Sequence, residues 1–81
     1  MPKASPAEAL IKAARDYGEA LRRQHVASEN LHQAAVAGNP IKAFDRAHDK
    51  ACDALGKAEH ELLIAGAIVG GWTREDAEGS V

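Results

Sequence analysis

The chain has little of what stabilises small folds from outside a hydrophobic core. Cys52 is its one cysteine, so neither an intrachain disulfide nor a paired-cysteine metal motif can form. A core built from 81 residues is marginal without such help. A single free thiol is typical of a reducing compartment, and we expect the protein to be cytoplasmic.

Aromatic side chains and strand-forming residues are also scarce. The aromatic residues are Tyr17, Phe44 and Trp72, whereas alanine is the commonest residue in the chain. Alanine is the best helix former, and few segments carry the β-branched and aromatic residues that strands favour. The sequence therefore predicts an all-α fold.

Long hydrophobic runs and an excess of one charge are absent as well. No apolar run approaches the ~20 residues of a membrane span, and no signal-peptide pattern follows Met1. Ten basic and twelve acidic side chains give a net charge of −2, which is not the basic surface of a nucleic-acid-binding protein. We expect no membrane association and no strong nucleic-acid partner.

Two long helical patterns are present, separated by Gly38-Asn39-Pro40. Glycine suits the position after a helix end, asparagine suits an N-cap, and proline suits the first helical turn. Helix 1 is predicted over about 6–37, with Ser5 as its N-cap, and helix 2 over about 40–69. Their matched lengths predict an antiparallel hairpin of coiled-coil type.

The apolar residues define which helix faces should meet. The predicted seam of helix 1 is Leu10, Ala14, Tyr17, Leu21, Gln24, Ser28, Leu31 and Ala35, with Ala13, Ala20, Ala27 and Ala34 beside it. The predicted seam of helix 2 is Ile41, Phe44, His48, Ala51, Leu55, Ala58, Leu62, Ala65 and Val69. These stripes are wider than a two-stranded seam and are typical of bundle helices. Folding about Asn39 would place Leu31 near His48.

The end of helix 2 has no polar face, since every residue from Leu62 to Trp72 is apolar or glycine. Such a segment is usually buried, and eleven residues are too few to cross a bilayer. We predict that it is covered by a second protein surface. The predicted interface residues are Leu63, Ile64, Ile68 and Trp72. For Trp72 the alternative is that the flexible Gly70-Gly71 pair folds the indole back onto the core. Residues 73–81 are expected to form an extended, polar and acidic tail.

Two carboxylate-x-x-His pairs are the strongest chemical signal. Glu29 with His32, and Asp45 with His48, resemble the ligand spacing of di-metal carboxylate bundles. Those bundles use inward-facing glutamates, whereas Glu29 lies on the predicted outer face. We therefore expect no metal and no other cofactor.

Catalytic signatures are missing too. We identify no base positioned to activate Cys52, and the sequence contains no Ser-His-Asp order, phosphate-binding glycine loop or HExxH motif. We expect the protein not to be an enzyme.

Three interpretations of the function follow. The favoured one is a non-enzymatic protein–protein interaction or regulatory module, typical of a small bacterial or phage accessory protein. It would self-associate as a homodimer, forming a four-helix bundle, and bind a further protein. The alternatives are a metal-binding bundle and a weak nucleic-acid-binding hairpin. The latter would use Arg15, Arg22, Arg23, Arg46 and Lys50.

Overall fold

The computed structural model describes residues 5–80 and consists of three helices. Helix α1 spans Pro6–Val36, α2 spans Lys42–Val69 and α3 spans Arg74–Ser80. Residues 5–80 contain no β-strand, so the predicted all-α class is confirmed. In this range no helix combines the length and the apolar character needed to cross a membrane.

Helix α1 begins where the sequence predicted. Ser5 is extended, with φ −66° and ψ 157°, and its side chain accepts a hydrogen bond from the backbone N–H of Glu8 at 3.2 Å. Pro6 occupies the first helical position, where its missing N–H leaves no hydrogen bond unmade.

A Schellman motif ends α1. Gly38 has φ +75°, and its N–H donates to the carbonyl of Ala35 at 3.2 Å. The N–H of Asn39 donates to the carbonyl of Ala34 at 3.0 Å. These bonds satisfy carbonyls that would otherwise have no partner at the helix end. The predicted end of helix 1 is therefore correct to within one residue.

Helix α2 begins later than predicted. Its N-cap is Ile41, with φ −98° and ψ −6°, and no side chain caps the helix start. Asn39 does not act as the N-cap, because its backbone N–H closes the Schellman motif of α1. Residues 37–41 therefore connect the two helices at one end of the molecule, which we call the turn end. The opposite end is called the open end.

Helices α1 and α2 pack against each other. At the turn end Asn30 and Phe44 line one groove, and at the open end Ala9 and Ala65 line another. The buried residues of α1 are Ala13, Ala20 and Ala34. We call the row of Ala13, Ala20, Ala27 and Ala34 the alanine column. This column lies at the contact with α2 rather than beside it, because small side chains allow the two helices to approach closely.

The seam of helix 1 is shifted from the predicted one. Leu10, Tyr17, Gln24, Ala27 and Leu31 are half-buried and complete the contact face. The predicted seam positions Ala14, Leu21, Ser28 and Ala35 are exposed. The contact therefore alternates between one large side chain and one alanine.

The pairing of the two helices also differs from the prediction. His48 lies beside Gln24, with 3.4 Å between their Nε2 atoms, whereas the sequence predicted Leu31 at this place. The difference is seven residues, or one heptad. The shift arises because the segment that connects the helices runs back beside the end of α1. Asn39 and Phe44 line one groove together with Ala34. The C-terminal end of α1 therefore extends beyond the start of α2.

The prediction of an extended tail is wrong for residues 74–80, which form α3.

A second Schellman motif ends α2. Gly71 has φ +100°, and its N–H donates to the carbonyl of Ile68 at 3.0 Å. The N–H of Trp72 donates to the carbonyl of Ala67 at 3.1 Å. The Thr73 hydroxyl then accepts the N–H of Asp76 at 3.2 Å, which caps α3.

Helix α3 packs against α2. Ala77 of α3 is 0% exposed and Ile64 of α2 is 1% exposed. Arg74 donates to Glu78 at 2.8 Å and to Glu61 at 3.1 Å. The hydrogen bond that Arg74 donates to Glu78 and the negative charge of Glu61 raise the pKa of Arg74 above its usual value. Its charged guanidinium thus joins α3 to α2.

Candidate interaction surfaces

Two of the four predicted interface residues are exposed. Leu63 is 51% exposed and Trp72 is 52% exposed. Ile68 is half-buried and lines the groove at the open end. Ile64 is buried by its own chain, so its place at an interface with a second molecule is wrong. The physical reason is α3, which covers the side of α2 that carries Ile64.

The two carboxylate-x-x-His pairs do not form a cluster. Within the described range no three His, Cys, Asp or Glu side chains lie close enough together to hold a metal ion. Glu29 instead lies 3.9 Å from His25 on its own helix. His48 contacts Gln24 and Cys52. The one-heptad shift in pairing moves the two carboxylate-x-x-His pairs out of alignment.

A polar cluster missed by the sequence reasoning lies midway along the α1–α2 contact. His48 Nε2 is 3.7 Å from Cys52 Sγ, and the Gln24 amide is 3.4 Å from the imidazole and 4.0 Å from the sulfur. The signal was the i,i+4 spacing of His48 and Cys52, which places both on one helix face. A half-buried polar pair across two helices opposes sliding of one helix along the other, because a shift would leave both groups unpaired.

Two grooves lie between α1 and α2. The turn-end groove has a volume of about 320 Å³ and is lined by Val26, Ala27, Asn30, Phe44 and Ala47, with Arg22 and Arg23 beside it. The open-end groove has a volume of about 410 Å³. Its α1 wall includes Ala9, Lys12, Ala13 and Asp16, and its α2 wall includes Ala58 and Glu61.

The two grooves lie on one face of the molecule. Ala13 and Ala27 are fourteen residues apart, as are Lys12 and Val26, Asp16 and Asn30, and Ala47 and Glu61. Fourteen residues are two heptads, so each pair occupies the same side of its helix. We call this surface the alanine face. Its exposed alanines are Ala47 and Ala54 on α2, whereas Ala27 is half-buried and Ala13 and Ala20 are buried at the contact with α2.

Charge is divided unevenly between the two ends. Residues 22–50, which form the turn end, contain five basic and three acidic side chains, a net charge of +2. The other described residues, 5–21 and 51–80, contain four basic and nine acidic side chains, a net charge of −5. The molecule is therefore electrically polar along its long axis.

No family model, curated protein or solved structure matches this chain significantly.

Proposed function

We propose that this chain is a non-enzymatic protein–protein interaction module that self-associates. In this proposal α1 and α2 form a helical hairpin, and two hairpins related by a two-fold axis form a four-helix bundle.

The exposure of large apolar side chains carries this proposal. Nine of them are between 38% and 75% exposed. They are Ile11, Leu21, Val26, Val36, Ile41, Phe44, Leu63, Val69 and Trp72. Within residues 5–80, Ile64 is the one large side chain that the fold buries fully. A core this thin supplies little hydrophobic stabilisation, so burying more apolar surface in an assembly would stabilise the folded chain.

The total surface supports the same proposal. The chain exposes 6132 Å², whereas a compact monomer of 8.5 kDa exposes roughly 4,700 Å². The difference between these two accessible surface areas is larger than the ~800 Å² of surface that each partner buries in a standard interface. The chain therefore has enough accessible surface to bury a standard interface in a second copy.

Sedimentation equilibrium from low micromolar to high micromolar concentration tests the proposal. We expect a reversible monomer–dimer equilibrium, and helicity measured on the same samples should rise with the dimer fraction. A folded monomer with no concentration dependence would refute self-association.

Leu63 and Trp72 are proposed to contact a further protein. Both lie near the C-terminal end of α2, and each leaves half of a large apolar side chain in solvent. Proteins retained from the source cell by the wild-type chain would be compared with those retained by the Leu63→Ser, Trp72→Ala double variant. Cys52→Ser is the matched control, since Cys52 is exposed but lies elsewhere. Identical retained proteins would rule these two residues out.

A further inference from the structure

We propose that the turn-end groove is a docking site for an acidic amphipathic helix of another protein. In this complex apolar side chains of the partner helix enter the groove, and its carboxylates bind the arginines at the groove edge. The inference rests on the proposed role as an interaction module and names the chemistry of one partner. It uses neither Leu63 nor Trp72, and it does not depend on the proposed self-association.

The floor of the turn-end groove is apolar and partly uncovered. Val26 is 50% exposed and Phe44 is 38% exposed, and Ala27 and Ala47 line the groove with them. The volume of about 320 Å³ is near the lower end of the range of binding pockets, roughly 300–1,000 Å³. Apolar side chains of a partner therefore fit here, and removing this surface from water would stabilise the complex.

The charge at the edge of the groove selects an acidic partner. Arg22 and Arg23 line the groove, and no acidic side chain of residues 5–80 does. Arg23 donates to Glu19 at 2.7 Å, whereas none of the ion pairs within the described range includes Arg22. The guanidinium of Arg22 can therefore bind a carboxylate of the partner through two parallel hydrogen bonds.

The open-end groove lacks this selectivity. Two of its basic side chains already pair with carboxylates that line the same groove, Lys12 with Asp16 at 2.9 Å and Arg74 with Glu61 at 3.1 Å. The turn end also has a net charge of +2, although the whole chain has a net charge of −2. Because complementary charge steers association, an acidic segment should approach the turn end.

A helix fits this groove better than an extended segment does. Residues 5–80 contain no strand to which an extended peptide could add, whereas a groove between two helices can receive a third one. The α1 wall runs from Arg22 to Asn30, which is about 12 Å or two helical turns. Two turns of a partner helix present an apolar pair at i and i+4 to such a groove. The exposed Ala47 and Ala54 on α2 let this helix approach closely.

Synthetic peptides test the site. The probe is an amphipathic peptide of about 18 residues, long enough to form a helix, built from leucine, alanine and glutamate. The comparison peptide has glutamine in place of every glutamate. In fluorescence anisotropy the acidic peptide should bind at least tenfold more tightly, and added salt should reduce this difference. If the acidic peptide does not bind, or if both peptides bind equally, the inference is wrong.

Charge reversal tests the two arginines. In the Arg22→Glu, Arg23→Glu chain the preference for the acidic peptide should disappear. The matched control is Lys42→Glu, Arg46→Glu, which changes the charge of the turn end equally at residues that do not line the groove. This control should keep most of the preference. Loss of the preference in both double variants would mean that the turn end attracts acids as a whole, and it would overturn the docking site.

A third comparison tests the apolar floor. Val26→Ser should weaken binding of the acidic peptide by about fivefold, because less apolar surface is buried in the complex. Val36→Ser makes the same change at a residue that is 75% exposed and lies outside the groove, so binding should stay unchanged. Equal effects of the two substitutions, with helicity preserved, would contradict the site. Sedimentation of the same variants reports self-association separately, so a failure of either proposal can be recognised by itself.

Discussion

Leu63 and Ile64 are neighbours in sequence with opposite environments. Leu63 is 51% exposed and Ile64 is 1% exposed, because α3 covers only one side of α2. Their hydropathy is similar, so the difference is a property of the packing and not of the two residues.

Truncating each of these side chains should reveal the difference. Ile64→Ala should lower the free energy of unfolding by about 2–4 kcal/mol, because it removes buried methylene groups and leaves a cavity. Leu63→Ala should cost well under about 1 kcal/mol in the unassociated chain. Urea unfolding at low protein concentration measures both. Equal losses would mean that α3 does not cover Ile64 in solution.

Gly71, which has a positive φ, and Gly18, which lies inside α1, give a second contrast at the residue scale. Gly71→Ala should destabilise the fold by about 1–2 kcal/mol, because a side chain at φ +100° is strained. The control is Gly18→Ala, where an added Cβ meets no atom within 4 Å and the helix should gain up to about 1 kcal/mol. Thermal unfolding followed by circular dichroism gives both values, and effects of the same sign would contradict the motif at the end of α2.

At the scale of elements, α3 is the least expected part of the fold. Seven residues are too few to form a stable helix alone in water. Its stability must therefore come from the Thr73 cap, the ion pairs of Arg74 and the burial of Ala77.

We expect Ala77→Glu to undock α3. A carboxylate cannot occupy a position that is 0% exposed without losing its hydration. Hydrogen exchange of residues 74–80 should then approach that of an unprotected chain, while α1 and the first half of α2 keep their protection. Glu75→Ala changes an exposed residue of the same helix and should leave exchange nearly unchanged. Unaltered protection in Ala77→Glu would show that α3 does not depend on docking.

At the scale of the whole molecule, stability should depend on concentration. If folding and self-association are coupled, a hundredfold rise in protein concentration stabilises the dimer by about 2.7 kcal/mol. Each of the two chains receives half of this free energy, and a stabilisation of that size raises the Tm of a chain of this length by roughly 5–10 °C. Calorimetric scans across that range measure the shift, and a constant Tm would contradict the coupling.

The ends of the helices could be predicted because they depend on local physics. Ser5-Pro6 starts α1 and Gly38 ends it, since capping and backbone preference act over a few residues. The start of α3 carried a similar signal in Thr73 and Asp76. The sequence nevertheless predicts an extended tail here, because the burial of Ala77 is not visible in the sequence.

The position of the contact faces could not be predicted in the same way. On α1 two apolar stripes lie side by side, one with Leu21 and one with the alanine column, and both have heptad spacing. Either could have packed on α2. The contact with Gln24 and the placement of residues 37–41 along α1 depend on how both helices and their connection fit together.

The sequence by itself determined the all-α class, the first long helix and the place where that helix ends. Each of these depends on helix propensity and end capping, which are properties of neighbouring residues. Only the tertiary structure decided that the alanines line the helix contact, that His48 meets Gln24, and that α3 buries Ile64. Burial depends on the relative placement of residues distant in the chain, and several placements satisfy the same local preferences.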